Sequence, residues 1–229
     1  MLRAVLFDID GTLVDTERES AEAIRRVLAR RGLVMSQAEI DHVLGHSWHE
    51  IHERLRAGHG AALPELPELI ETSAAEREAV LREQGLRELP GARDLARRLA
   101  ARLPIAAVSG AGRREATFAL QGLGILDLFR LVLTAEDCSP GKPSPRCYLL
   151  AAERLGVAPA ECLVIEDSAA GIAAGLAAGA RVVAVSAANF AGQDQSSAHA
   201  VVATPADIDE ALIARLFPPV LRAGPGTLE

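Results

Sequence analysis

The sequence is nearly without lysine: 24 of its 229 residues are basic, and all of these are arginine except Lys142. Cysteine is scarce as well. Cys138, Cys147 and Cys162 form no CxxC and no paired framework, so they read as small, partly buried apolar side chains of a protein in a reducing cytoplasm. Positive charge is in deficit, with a formal net charge of −7. That speaks against a nucleic-acid binder, which needs a basic face. No apolar run approaches the roughly 18 residues that cross a bilayer, and the opening run Ala4-Val5-Leu6-Phe7 meets Asp8 too soon for a secretory signal core. What is present is an apolar fraction of 49% beside an ordinary charged fraction of 24%. These exclude disorder and supply a substantial core for one or two domains.

Short apolar runs at Ala4–Phe7, Ile105–Val108, Leu131–Leu133, Leu163–Ile165, Val182–Val185 and, more weakly, Ala200–Val202 read as buried strands. Helical patterns lie between them at Asp94–Ala101, Arg113–Gln121, Pro145–Leu155 and Ala169–Ala177. This alternation predicts a mostly parallel sheet covered on both faces. Residues 16–84 differ, with helical segments at Glu17–Arg31, Gln37–Val43, Trp48–Arg56 and Leu66–Glu83 and no strand between. The predicted organisation is an α/β core of residues 1–15 and 85–229 with residues 16–84 inserted as an all-helical subdomain. Its hinges fall near Val14–Thr16 and Gly85–Leu89. The tail Arg222–Glu229 carries Gly224, Pro225 and Gly226 and reads as frayed, and Leu228-Glu229 as native sequence or a cloning scar.

Acidic and small polar residues gather where the strands end. The first run leads into Asp8-Ile9-Asp10-Gly11-Thr12, the second into Ser109-Gly110-Ala111-Gly112, and the fourth into Glu166-Asp167-Ser168, with Gly171 a turn later. A loop carries Gly141-Lys142-Pro143. Ligands of an open parallel sheet bind at the carboxyl ends of its strands, so these clusters predict one shared site. Carboxylates packed together need a cation, and oxygen donors without His or Cys suit Mg²⁺. A metal, one lysine and a Ser-Gly loop before a helix N-terminus make a pocket for a phosphoryl group. One of the paired aspartates at the first strand can attack phosphorus, and the other can move protons.

In that order, Asp8-x-Asp10-Gly11-Thr12, Ser109, Lys142 and Glu166-Asp167 resemble the four motifs of the haloacid dehalogenase (HAD) superfamily. The strings Gly141-Lys142-Pro143-x-Pro145 and Glu166-Asp167-Ser168-x-x-Gly171 are similar to its β-phosphoglucomutase-like subgroup. The match covers about two-thirds of the chain. The resemblance implies a Rossmann-like parallel sheet core with an inserted all-helical cap. It further implies a Mg²⁺-dependent phosphatase acting on a small phosphorylated metabolite such as a sugar phosphate; the expected location is the cytoplasm, from the cysteine usage, and the expected state a monomer or weak homo-oligomer. Asp8 would be the nucleophile and a metal ligand; Asp10 would be the general acid/base and would ligate the metal through its carbonyl. Asp167 would be the remaining metal ligand, with Glu166 acting through water. Ser109, the Gly110 amide and Lys142 would hold the phosphate, and Thr12 would orient the Asp loop.

The inserted block holds Leu44-Gly45-His46-Ser47-Trp48-His49, with His42, His46, His49 and His52 at near-helical spacing. No Cys or carboxylate completes a tetrahedral zinc set there. The stretch instead reads as a loop over the site, with Gly45, His46 and Trp48 as candidate substrate contacts, although Trp48 reads equally as core. Arg113-Arg114 reads as a solvated helix face. A phosphomutase of the same subgroup is the alternative. Such enzymes tend to have a basic residue where Trp48 stands, Val where Thr12 stands and His where Ser20 stands. Dehalogenation, which dispenses with a metal and a second aspartate, and a non-catalytic phospho-acceptor fit less well.

Overall fold

The computed structural model describes residues 1–218 apart from Gly45, Ser47 and Ala191, and only the backbone of Glu17. The candidate contact Gly45, the frayed tail and the Leu228-Glu229 question lie outside the described residues. Six parallel strands form one sheet in the order β3-β2-β1-β4-β5-β6. They are β1 (Ala4–Phe7), β2 (Ile105–Val108), β3 (Phe129–Leu133), β4 (Cys162–Glu166), β5 (Arg181–Val185) and β6 (Ala200–Val202).

The apolar runs lack polar alternation because both faces of the sheet are covered. With a period of two, Val5 and Phe7 enter one apolar cluster, and Ala4 and Leu6 enter the other. Helices α5 (Ala92–Ala100), α6 (Arg113–Gly122) and α9 (Glu210–Leu216) supply the first cluster. Helices α7 (Arg146–Leu155) and α8 (Ala169–Ala177) supply the second. The short helix α9 was not predicted; Asp209 caps it, accepting the Leu212 amide at 2.7 Å.

Between β1 and α5 come α1 (Glu17–Ala29), α2 (Gln37–Val43), α3 (Trp48–His59) and α4 (Leu66–Gln84), with no strand among the described residues. They pack on an apolar cluster of their own that includes Ile24, Leu28, Ile51, Leu55 and Leu69. Two short extended segments join this block to the sheet. Val14 pairs antiparallel with Glu88, the Asp15 amide donates to Arg87 O at 2.9 Å, and the Leu89 amide donates to Leu13 O at 3.0 Å.

Unpaired thiols were expected, but Cys138 and Cys147 are joined as a disulfide, with Cα atoms 5.5 Å apart. Both also pack as buried members of the second cluster, and Cys162 is free and buried. No described helix is long and apolar enough to cross a membrane.

Candidate active site

The site lies where β1, β2 and β4 end side by side. The Asp8 amide donates to Ile165 O at 2.9 Å, which fixes the end of β1 against β4. The next turn needs a glycine. Gly11 has φ +76°, and a Cβ there would sit 2.0 Å from Asp167 Oδ2. Removing the side chain thus lets the β1 loop and the β4 loop bring their carboxylates together.

Lys142 reaches this point from the loop before α7. Its ammonium donates to Asp8 Oδ1 at 2.5 Å, Glu166 Oε1 at 2.5 Å and Val108 O at 3.1 Å. Three acceptors use all three of its N–H groups. Glu166 is fully buried and saturated. It also accepts from the Tyr148 hydroxyl at 2.8 Å, the Asp167 and Ser168 amides at 3.0 and 3.1 Å, and the Ser168 hydroxyl at 3.0 Å. A Cβ on Gly171 would stand 1.8 Å from Glu166 Oε1, so α8 can approach this carboxylate only with glycine there.

One cation does not balance the cluster. Burial, reinforced by neighbouring carboxylates, pushes Asp8 and Asp167 well above the usual carboxylate range, although Lys142 opposes it. For Glu166 burial acts the same way, but the charge and hydrogen bond of Lys142 overcome it and the pKa is lowered. Lys142 itself is held well above its ordinary value: burial acts to lower it, and the Asp8 and Glu166 charges prevail. Asp8, Glu166 and Asp167 each offer an oxygen within 4.8 Å of the others. A hard divalent cation fits that oxygen-only donor set. Because both Glu166 oxygens are already bonded, the oxygens free for such an ion belong to Asp8 and Asp167.

Asp10 is the more open aspartate of the β1 loop, with its side chain 37% exposed. It accepts from the Ser109 hydroxyl at 3.3 Å and faces Arg77 Nη2 at 3.5 Å. Ser109 Oγ in turn accepts the Ala111 amide at 2.9 Å. The N-terminus of α6 differs from expectation as an anion site, since Glu115 accepts the Gly112 amide at 3.2 Å and Glu136 accepts the Arg113 amide at 3.0 Å. Gly110 has open space beside its Cα. Thr12 is fully buried, but its hydroxyl has no partner. Backbone bonds hold the Asp loop, notably Gly11 N to Val14 O at 2.7 Å.

The structure therefore brings together Asp8, Asp10, Ser109, Lys142, Glu166 and Asp167, as the shared-site expectation required. Trp48 is half-buried against the apolar cluster of the helical block and also lines a cavity facing Arg77. His46 is exposed and stacks on His42, ring centroids 4.0 Å apart. No histidine enters a metal-ligating group among the described residues. Arg113 and Arg114 pair with Asp137 and Glu78. Three residues escaped the sequence reading: Arg77, Tyr148 and Gln195, whose amide donates to Val185 O at 2.9 Å and to Asp167 O. Tyr148 alone carried a signal, as the only tyrosine.

This constellation on a parallel sheet defines a phosphoryl-transfer hydrolase. Residues 2–179 match the haloacid dehalogenase-like hydrolases, and the chain belongs to that family. It is similar to hexitol phosphatase A of Escherichia coli, 36% identical over 81% of this chain and 83% of that protein. Validoxylamine A 7'-phosphate phosphatase of Streptomyces hygroscopicus is 32% identical over 78% and 83%. Among solved structures, a HAD family hydrolase from Deinococcus radiodurans, with bound phosphate and sodium, has a TM-score of 0.72 at 30% identity, covering 94% of this chain and 96% of that one. A β-phosphoglucomutase from Clostridium difficile has a TM-score of 0.70 at 25% identity, over 94% and 97%. The chain is an enzyme, a phosphoric monoester hydrolase of the HAD type.

Proposed function

We propose that this protein is a Mg²⁺-dependent phosphatase of sugar phosphates or related small phosphomonoesters, working through an aspartyl phosphate on Asp8. The observation that carries the reading is the cluster of buried Asp8 and Glu166 with half-buried Lys142 and Asp167, beside the Asp10–Ser109 pair. The side chains of Asp8 and Asp167 and the carbonyl of Asp10 would hold the metal. When bound, Mg²⁺ supplies positive charge that offsets the clustered carboxylates and the phosphoryl oxygens.

Lys142 fixes the Asp8 carboxylate through Oδ1; one oxygen of that carboxylate attacks phosphorus while the other would face the metal. As that bond forms, the bond to the leaving oxygen breaks, and Asp10 gives that oxygen its proton. Asp10 then takes a proton from water, whose oxygen attacks phosphorus and frees Asp8 and inorganic phosphate. Ser109 and the Gly110 amide hold phosphoryl oxygens. Glu166 positions Lys142 and the Asp167 loop through its hydrogen bonds.

Residues 16–84 serve as a cap that closes for transfer and opens for release, hinging at the paired segments around Val14 and Glu88. Phosphate release from glucose 6-phosphate, dependent on Mg²⁺ and stopped by chelator, is the expected result. Metal-independent release would contradict the reading. A phosphomutase is the second reading, favoured by likeness to the solved β-phosphoglucomutase. It predicts conversion of β-glucose 1-phosphate to glucose 6-phosphate rather than free phosphate.

A further inference from the structure

A cavity of about 300 Å³ lies among α1, α3 and α4 where they meet Glu115 of α6, its lining including Ser20, Trp48, Ile70, Ser73 and Arg77. It adjoins the reacting centre through Arg77, which faces Asp10 at 3.5 Å and Glu115 at 3.4 Å. Two buried polar atoms on its lining residues have no partner: Ser73 Oγ, on a residue only 3% exposed, and Arg77 Nε. A buried hydroxyl or N–H left unpaired is costly, and a ligand's polar atoms would complete both. The Ser20 hydroxyl already donates to Thr16 O at 2.9 Å, so its lone pairs remain for a ligand donor. Trp48 offers an apolar face to the C–H surface of a carbon chain or ring.

The charge of this wall is specific. Arg77 is the only cation among the described residues lining the cavity, and it already faces two carboxylates. A second anion on the substrate would have to displace Glu115 from Arg77 and then lie against its charge. A neutral hydroxyl can donate to Glu115 and accept from Arg77 at once.

We infer that this cavity receives an uncharged, hydroxyl-bearing leaving group, and that Glu115 is the residue that turns away a second anionic group. The inference rests on the phosphatase reading above and deepens it.

The test is kcat/KM for glucose 6-phosphate, 6-phosphogluconate and p-nitrophenyl phosphate with the wild type, Glu115→Gln and Ser73→Ala. The first two substrates differ at the end remote from phosphorus, a cyclic hemiacetal in one and a carboxylate on an open chain in the other, so the change of their ratio in Glu115→Gln is what isolates the charge. The wild type is expected to prefer glucose 6-phosphate by about tenfold, the repulsion of two like charges about 6 Å apart in a half-solvated cleft. Glu115→Gln keeps the length and the acceptor for the Gly112 amide, and should bring that ratio close to unity. Ser73→Ala should lower kcat/KM for glucose 6-phosphate more than for p-nitrophenyl phosphate. A wild-type preference for 6-phosphogluconate, or an unchanged ratio in Glu115→Gln, would overturn the inference and leave the phosphatase reading standing. No release from any of the three substrates would overturn that reading, and this inference with it.

Discussion

Replacing Lys142 by Arg keeps the charge and changes only its shape, so it tests whether the cluster is built around a point cation. Three acceptors, Asp8 Oδ1, Glu166 Oε1 and Val108 O, converge on one nitrogen. No guanidinium nitrogen carries more than two N–H groups. The variant therefore forfeits at least one bond in a buried, charged site, worth about 1.5–3 kcal/mol. The added atoms must also enter a space where the lysine side chain is only 12% exposed, and overpacking costs about 1–3 kcal/mol. The expected loss of folding stability is roughly 2.5–6 kcal/mol, read from urea unfolding of the metal-free protein at neutral pH. Displacing the Asp8 carboxylate should also lower kcat by about a hundredfold or more. A variant within about 1 kcal/mol of wild type that keeps most of its activity would refute the geometry.

Gly171→Ala forces the Glu166 carboxylate away from α8, because its Cβ would stand 1.8 Å from Oε1. A stability loss of about 3 kcal/mol is expected in urea unfolding, with most activity lost; wild-type behaviour would mean the carboxylate has room to move. Tyr148→Phe removes the 2.8 Å bond to Glu166 and should cost about 1–2 kcal/mol in the same assay. The raised pKa values of Asp8 and Asp167 give a pH dependence. A folded pKa above the unfolded one contributes stability below about pH 4 that is lost as pH rises through the folded value. The metal-free protein should therefore lose this contribution toward alkaline pH, and the rise in Tm on adding Mg²⁺ should be larger at about pH 8 than at about pH 5.5. Equal rises at both would refute it.

The strand positions and the four clusters were legible because both rest on local signals. The run Ala4–Phe7 is bounded by Asp8 and Gly11, and the structure ends β1 at Phe7 for that reason. Lys142 stood out because nothing else in the chain resembles it. Arg77 was hidden for the opposite reason: it is one of many arginines, and only the fold carries α4 over Asp10. The partner of the Arg113 amide at the start of α6 was hidden for a similar cause, since Glu136 arrives from the loop after β3, a tertiary contact that spacing does not encode. The Cys138–Cys147 pair likewise depends on how that loop meets α7.

The central claim is that Asp8 becomes phosphorylated during turnover. Acid-quenched wild-type enzyme, digested and sequenced by mass spectrometry during hydrolysis of glucose 6-phosphate, should carry an acid-stable, hydroxylamine-labile phosphoryl group on Asp8. Asp8→Asn should carry none and release no phosphate. A phosphoryl group on another residue, or phosphate release that survives in Asp8→Asn, would contradict the account.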